Sequence, residues 1–320
     1  LHIVDADCTL MLQSPKGVAG FSHWSFGQFA RLIGAPASYL RELSPAIAAA
    51  AMNDGISRTA VGARSSMLIE QHPTSTDLTV RCATTDSYTR IWDDDLFGDV
   101  QRQICDVDAN WTVQRASRSD RDSYLTISNK AAVIIDPSVR AIIDDPAAAA
   151  GGIMYRALSI GNSETGARSL WFTNGLYRAR CKNLMVWSFA QDSASRYRHA
   201  GQRIKTESVR EIARFARAYA QQSTERDTAI IRALIDHEVA TTKEAVVDEL
   251  RAIGSTREQA ESAYALCEQL EAVSPRSFWG SAQGLTRLAQ QATFGDEQHT
   301  LDQLAGKLLA IGARKYAVAN

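Results

Sequence analysis

From about Lys205 onward, the apolar residues of this 320-residue chain recur at helical spacing only, and this restricts its possible folds more than any other feature. Ile204, Ile212, Phe215 and Tyr219 make one face of a first helix, and Arg203, Arg210, Arg214 and Arg217 make another. Further helices are predicted over Asp227–Val239, Lys243–Ile253, Arg257–Ala272, Gly284–Gln291 and Leu301–Ile311. Gly254 and Gly312 stand where C-caps are expected, and Ser255 and Thr256 where an N-cap is expected.

The earlier part mixes the two periods. Ser25–Leu43 reads as helix, turn, helix, with Phe26, Phe29, Ala30 and Ile33 at helical spacing and Gly34-Ala35-Pro36 as the break. Ile47–Met52 is alanine-rich and predicted helical. Strands are predicted at Ser66–Gln71, Leu78–Ala83, Trp111–Arg115, Tyr124–Ser128, Ala132–Ile135, Ile153–Ile160 and Ser169–Thr173. Asp93–Ile104 reads as a helix, with Leu96, Val100 and Ile104 on one side and three aspartates where the dipole favours negative charge. Arg178–Phe189 fits a strand or a buried helix. The expected class is therefore α+β: a mixed strand and helix core over 1–204, a hinge candidate at 144–152, and an all-helical region over 205–320.

Hydrophobic residues at 45% and charged residues at 22% suit a soluble globular chain. No apolar run approaches the ~20 residues of a membrane span, so no membrane association is expected. Leu1–Leu12 carries Asp5 and Asp7 and lacks a basic start, so no signal peptide is expected there. The chain opens on leucine, and its native start is expected upstream. Cys8, Cys82, Cys105, Cys181 and Cys267 are scattered and odd in number, which suits reduced thiols in a cytoplasm.

Charge is distributed unevenly. Arg168–Arg217 holds eleven cations and three carboxylates, a local surplus of eight positive charges in a chain whose net charge is −1. Trp171, Phe172, Tyr177, Trp187, Phe189 and Tyr197 are interleaved with those cations. Arginine among aromatics is the composition of a surface that holds phosphates and stacks bases. A buried strand pair with exposed flanking arginines has the same composition. In Arg196-Tyr197-Arg198-His199-Ala200-Gly201, two forked donors precede a basic helix, an arrangement suited to phosphate. Gly161-Asn162-Ser163-Glu164-Thr165-Gly166 is either a ligand-approaching loop, with Asn162 and Ser163 as donors, or a plain strand connector.

Catalytic signatures are sparse. The chain has no GxGxxG, Walker or GxSxG motif, and no cofactor is expected. His237-Glu238 begins like a zincin helix, but Thr241 stands where the second histidine belongs, and no CxxC pair exists, so no metal site is expected. Two enzyme alternatives remain: a metal-dependent nuclease using the Asp93–Asp108 cluster, and a thiol enzyme pairing Cys181 with His199.

Several pieces together resemble the phage/plasmid-like family of unknown function found in mobile elements and their bacterial hosts. They are Trp24–Ala30 with Gly34–Leu40, Arg81-Cys82-Ala83 with Tyr88–Ile91, Gly161–Gly166, Arg180–Asn183, Arg198–Gly201, and a late echo at Trp279, Gly284–Thr286 and Ala305–Lys307. Ala200 departs from the pattern, which has a hydroxyl residue after the histidine. The resemblance implies an α+β core and a mobile-element context, and carries no established activity.

Charge and context together favour a non-enzymatic, homo-oligomeric protein that binds, and in one reading anneals, single-stranded nucleic acid during recombination or replication. Arg178, Arg180, Lys182, Arg196, Arg198 and Arg203 would meet phosphates, with His199 in the same binding set, Tyr177, Trp187 and Tyr197 would stack on bases, and Arg210, Arg214 and Arg217 would extend the groove. Six neutralised phosphates on a single strand predict a log K against log salt slope of about −4. A third reading, an anti-defence factor, places an acidic host protein on the same basic face.

Overall fold

The computed structural model describes residues 2–6, 9–15, 17–59, 65–135, 153–178, 183–186, 194–201, 203–271, 273–293 and 295–316. The hinge candidate at 144–152 lies outside them. The chain is α+β, with two sheets and a helical C-terminal region.

The first sheet has the order β1-β2-β3-β5-β4, built from β1 (His2–Ala6), β2 (Thr9–Ser14), β3 (Gly17–Phe21), β4 (Ser65–Gln71) and β5 (Leu78–Thr85). β3 and β5 pair in parallel, which demands a crossover. It contains α1 (His23–Leu32), α2 (Ala37–Glu42) and α3 (Pro45–Arg58). Ser22 caps α1 by accepting from the Ser25 amide, and Gly34, at φ 74°, turns the chain after it. Ile3, Leu12 and Val80 of the strands meet Phe29 and Met52 of the helices in one core.

The second sheet has the order β10-β9-β8-β7-β6, with β11 beside β9. Its strands are β6 (Trp111–Arg118), β7 (Ser123–Ile135), β8 (Ile153–Asn162), β9 (Leu170–Arg178), β10 (Asn183–Val186) and β11 (Ala194–Tyr197), all antiparallel. β7 is one strand where the sequence predicts two. The ladder shifts register after Asn129, whose side-chain oxygen accepts from the Ala131 and Ala132 amides at 2.9 and 3.2 Å.

Because side chains alternate along strands, paired residues share a face. On one face, Leu158, Ile160, Leu170 and Phe172 pack against α4 (Asp93–Val100), the π-helical turn Gln101–Cys105 and α5 (Ile204–Ala220). Further along that face, Met154 and Leu176, with Ile134, join the core of the later helices. These are α6 (Thr224–Asp236), α7 (Lys243–Ala252), α8 (Arg257–Leu270), α9 (Phe278–Gln291) and α10 (Gly295–Tyr316). The apolar core therefore does not stop at residue 204, because strands and C-terminal helices share it.

A buried ion pair ties the two parts together. Arg156 of β8 is fully buried and reaches Asp227 of α6 at 2.6 Å. It also donates to the Ser223 carbonyl at 2.8 Å and to the Tyr219 carbonyl, with its guanidinium 4.9 Å from the Tyr219 ring.

Caps follow the sequence at one predicted site and not at another. Gly254 takes φ 122° just after α7, and Thr256 with Gln259 forms a capping box on α8. Gly312 is not a cap. It sits inside α10, where a Cβ would meet Leu234 at 2.6 Å and Phe278 at 2.7 Å, so the absence of a side chain sets helix packing there.

Candidate nucleic-acid interface

β11 lies against β9 with Arg196 opposite Trp171 and Tyr197 opposite Leu170. Arg196 and Trp171 therefore point to the face of the sheet opposite α5, while Tyr197 joins Phe172 on the α5 side at a ring separation of 6.4 Å. α10 crosses the Arg196 face. Three residues of its first half hold it there. Tyr124 donates to Asp296 at 2.8 Å, His299 stacks on Trp171 at 4.6 Å and meets the Tyr124 ring, tilted, at 4.7 Å, and Asp302 accepts from Arg115 at 3.5 Å. Burial pushes His299 down to about 3, so its ring is neutral, and pushes the Asp302 carboxyl up to about 7.

Between the sheet and the second half of α10 lies a cleft of about 730 Å³. The sheet side supplies Arg168 and Arg196, and the helix supplies Lys307 and Arg314. Among the described residues no carboxylate lines it. Along α10, Gln303, Lys307, Ile311 and Arg314 fall on one stripe, and Gly306 and Ala310 keep the helix surface low beside it. The charges are only partly offset. Arg168 Nε pairs with Asp122 at 2.9 Å, and Lys307 Nζ donates to the Ile253 carbonyl at 3.0 Å. Arg196 and Arg314 are exposed, with no ion pair among the described residues.

The other predicted contacts are placed differently. Arg178 is 4% exposed, paired with Glu271 at 2.6 Å and bonded to Gln283 at 3.1 Å, so it is a core cation and does not meet phosphate. Tyr177 is buried with Ala157 and Tyr155, and offers no open ring to a base. Trp171 and Phe172 are likewise buried, and Tyr197 is half-buried. His199 is buried, stacked on Tyr88 at 4.8 Å, and its Nδ1 faces the Thr89 carbonyl at 3.2 Å. Burial lowers its pKa, so it brings no positive charge to a phosphate at neutral pH.

The Gly161–Gly166 loop is the plain connector, and a buried one. Asn162 donates to the Ile91 carbonyl and to Asp93, and Ser163 donates to the Arg121 carbonyl. Gly161 makes room for the Trp171 indole rather than for a ligand.

Arg198, Arg203, Arg210, Arg214 and Arg217 are exposed. The last three lie on the outer side of α5, across the sheet from the cleft, and Arg214 pairs with Glu211 at 2.5 Å. Lys205 is held by Asp95 and Asp99 at 3.3 and 3.0 Å. The single groove expected from the sequence is thus divided by the sheet. Arg180, Lys182 and Trp187 lie outside the described residues, as do Cys181 and Phe189, so the Cys181 and His199 pairing has no described partner for the histidine.

The acidic cluster does not converge. Asp93 is buried and accepts from Ser123 at 2.5 Å and Asn162 at 2.7 Å, while Asp106 and Asp108 follow the far end of α4 and its π-helical turn, about 20 Å along the axis. Among the described residues no group of three or more His, Cys, Asp or Glu side chains is placed to hold a metal ion.

The sequence reading missed Lys307 and Arg314. Their one signal is a pair of cations on one side of the last helix beside Gly306 and Ala310. Nothing in that pattern says which strand the helix crosses.

Compared with protein-family models, curated proteins and solved structures, the chain matches none. Several pieces that carry the family resemblance nevertheless meet at one place. Gln28 donates to the Thr165 carbonyl at 2.7 Å, Arg90 to the Glu164 carbonyl at 2.9 Å, and Tyr88 to the Ser163 carbonyl. This junction joins the two sheets, so these motif residues hold the fold together. No helix among the described residues is long and apolar enough to cross a membrane.

Proposed function

We propose that this protein binds single-stranded nucleic acid, as a homo-oligomer, in the service of a mobile element of the phage/plasmid-like kind. The observation that supports this is the meeting of Arg168, Arg196, Lys307 and Arg314 on one cleft that no carboxylate among the described residues lines. Three stretches distant in sequence bring their cations to one place, and a group of cations only partly offset by Asp122 attracts a polyanion. Arg198 and Arg203 are exposed as well.

Fluorescence anisotropy with labelled single- and double-stranded DNA at several salt concentrations tests the reading. Four phosphate contacts on a single strand give a log K against log salt slope of about −3. The Arg196→Ala/Arg314→Ala variant should bind more weakly with a slope reduced by about 1.4. Affinity independent of salt, or unchanged in that variant, rejects the reading and favours the acidic-protein partner. Light scattering of the free protein tests the oligomer.

A further inference from the structure

The cleft offers more than charge. Its 730 Å³ lies within the range of sites that enclose a small organic ligand, and far exceeds what a lone phosphate fills. Its walls divide by chemistry. The cations sit on both sides, while Gly306, Ala310 and Ile311 make an apolar strip on the helix between Lys307 and Arg314. Ser169 and Thr173 on the strand side and Gln303 on the helix add neutral hydrogen-bonding groups. A phosphate needs the first set only. A flat, largely apolar body with polar edges needs the other two. A nucleotide combines both requirements within that volume.

We propose that the cleft seats one nucleoside phosphate unit, its phosphate held by Arg168, Arg196, Lys307 and Arg314 and its base laid along Gly306, Ala310 and Ile311. The unit has two sources, one nucleotide of a single strand or a free nucleoside phosphate. The first source rests on the proposed nucleic-acid binding, and the second does not.

The test is competition and direct titration on the full chain. The probes are a labelled oligothymidylate, thymidine monophosphate, thymidine triphosphate and inorganic phosphate. Two variants accompany the wild type: Ala310→Trp, which fills the cleft and keeps its charge, and Ile311→Glu, an exposed position that places a carboxylate among the cations. Melting curves matching the wild type establish that each is folded.

If the unit belongs to a strand, thymidine monophosphate displaces the oligonucleotide at least ten-fold more effectively than inorganic phosphate. Both variants then lose at least ten-fold in affinity for the oligonucleotide. If it is a free nucleotide, the triphosphate binds, the variants abolish that binding, and the oligonucleotide does not compete.

Inorganic phosphate competing as well as the nucleotide overturns the proposal, since the base then contributes nothing. Oligonucleotide and triphosphate binding that both variants leave intact also overturns it, while nucleic-acid binding itself survives on another surface. Failure of every probe to bind removes both readings.

Discussion

Trp171 lies so close against Gly161 of the neighbouring strand that a Cβ at position 161 would meet indole atoms at 2.4 Å. The same ring stacks on His299 of α10 and lines the basic cleft. One glycine thereby sets the position of the ring on which α10 rests. Gly161→Ala forces the ring or the strand to move, and should destabilise the protein by roughly 1–3 kcal/mol. Urea unfolding measures this, and an unchanged midpoint removes the packing argument.

Asp302 and His299 titrate in opposition. Burial raises Asp302 to about 7, so the folded chain holds a proton that the unfolded chain releases near the ordinary carboxylate value. Its contribution is present at low pH and declines as pH rises toward 7. Burial lowers His299 to about 3, so the folded chain refuses a proton that the unfolded imidazole takes up below about 6.5. That contribution is present above 6.5 and is lost as pH falls. Stability measured from pH 4 to 6.5 should therefore rise more steeply with pH in Asp302→Asn than in the wild type. In His299→Phe, which keeps a ring for stacking, it should fall with pH relative to the wild type. Parallel pH profiles in all three proteins would contradict the assignment.

Arg156 and Asp227 form the buried link between β8 and α6. Removing the carboxylate leaves a guanidinium with 0% exposure facing the Tyr219 and Ser223 carbonyls and the Tyr219 ring. Asp227→Ala should cost about 3–5 kcal/mol, read as a lowered melting temperature by circular dichroism.

Arg178 and Arg196 are both part of the basic stretch, and their variants should separate cleanly. Arg178→Ala removes a partner from the buried Glu271, leaving it to Arg287 at 2.7 Å, and should cost about 3 kcal/mol without altering the salt slope of nucleic-acid binding by the folded protein. Arg196→Ala, at an exposed position, should change stability by no more than about 0.5 kcal/mol and reduce the slope by about 0.7. An effect of Arg178→Ala on the slope would return it to the interface.

Much of the fold was legible in the sequence because its signals are local. The α8 cap at Thr256 needs only a hydroxyl and Gln259 three residues later, both visible in the sequence. The α5 faces follow from the helical period, and Val209, Ile212 and Ala216 bury one side while Arg210, Arg214 and Arg217 stay outside. β7 reads as two strands in sequence because Asn129, a poor strand former, marks a register shift that its own side chain closes. Gly312 reads as a cap because a glycine that ends a helix and one that lets two helices approach look alike in sequence.

The candidate site was half legible. Composition along the chain determined that positive charge gathers between Arg168 and Arg217, and that Arg196 is among the cations. Whether an arginine meets solvent or a buried carboxylate depends on its partner, and Glu271 is 93 residues from Arg178. Whether Arg196 and Arg210 share a groove depends on strand register, because paired residues share a face and the sheet separates its two sides. The pairing of β11 with β9 placed Arg196 on one side, the core packing of α5 placed Arg210 on the other, and the path of α10 brought Lys307 and Arg314 to the cleft. Sequence by itself determined the periodicities, the caps and the charge. Tertiary structure decided which charges are neutralised and which converge, because those depend on distances between residues far apart in the chain.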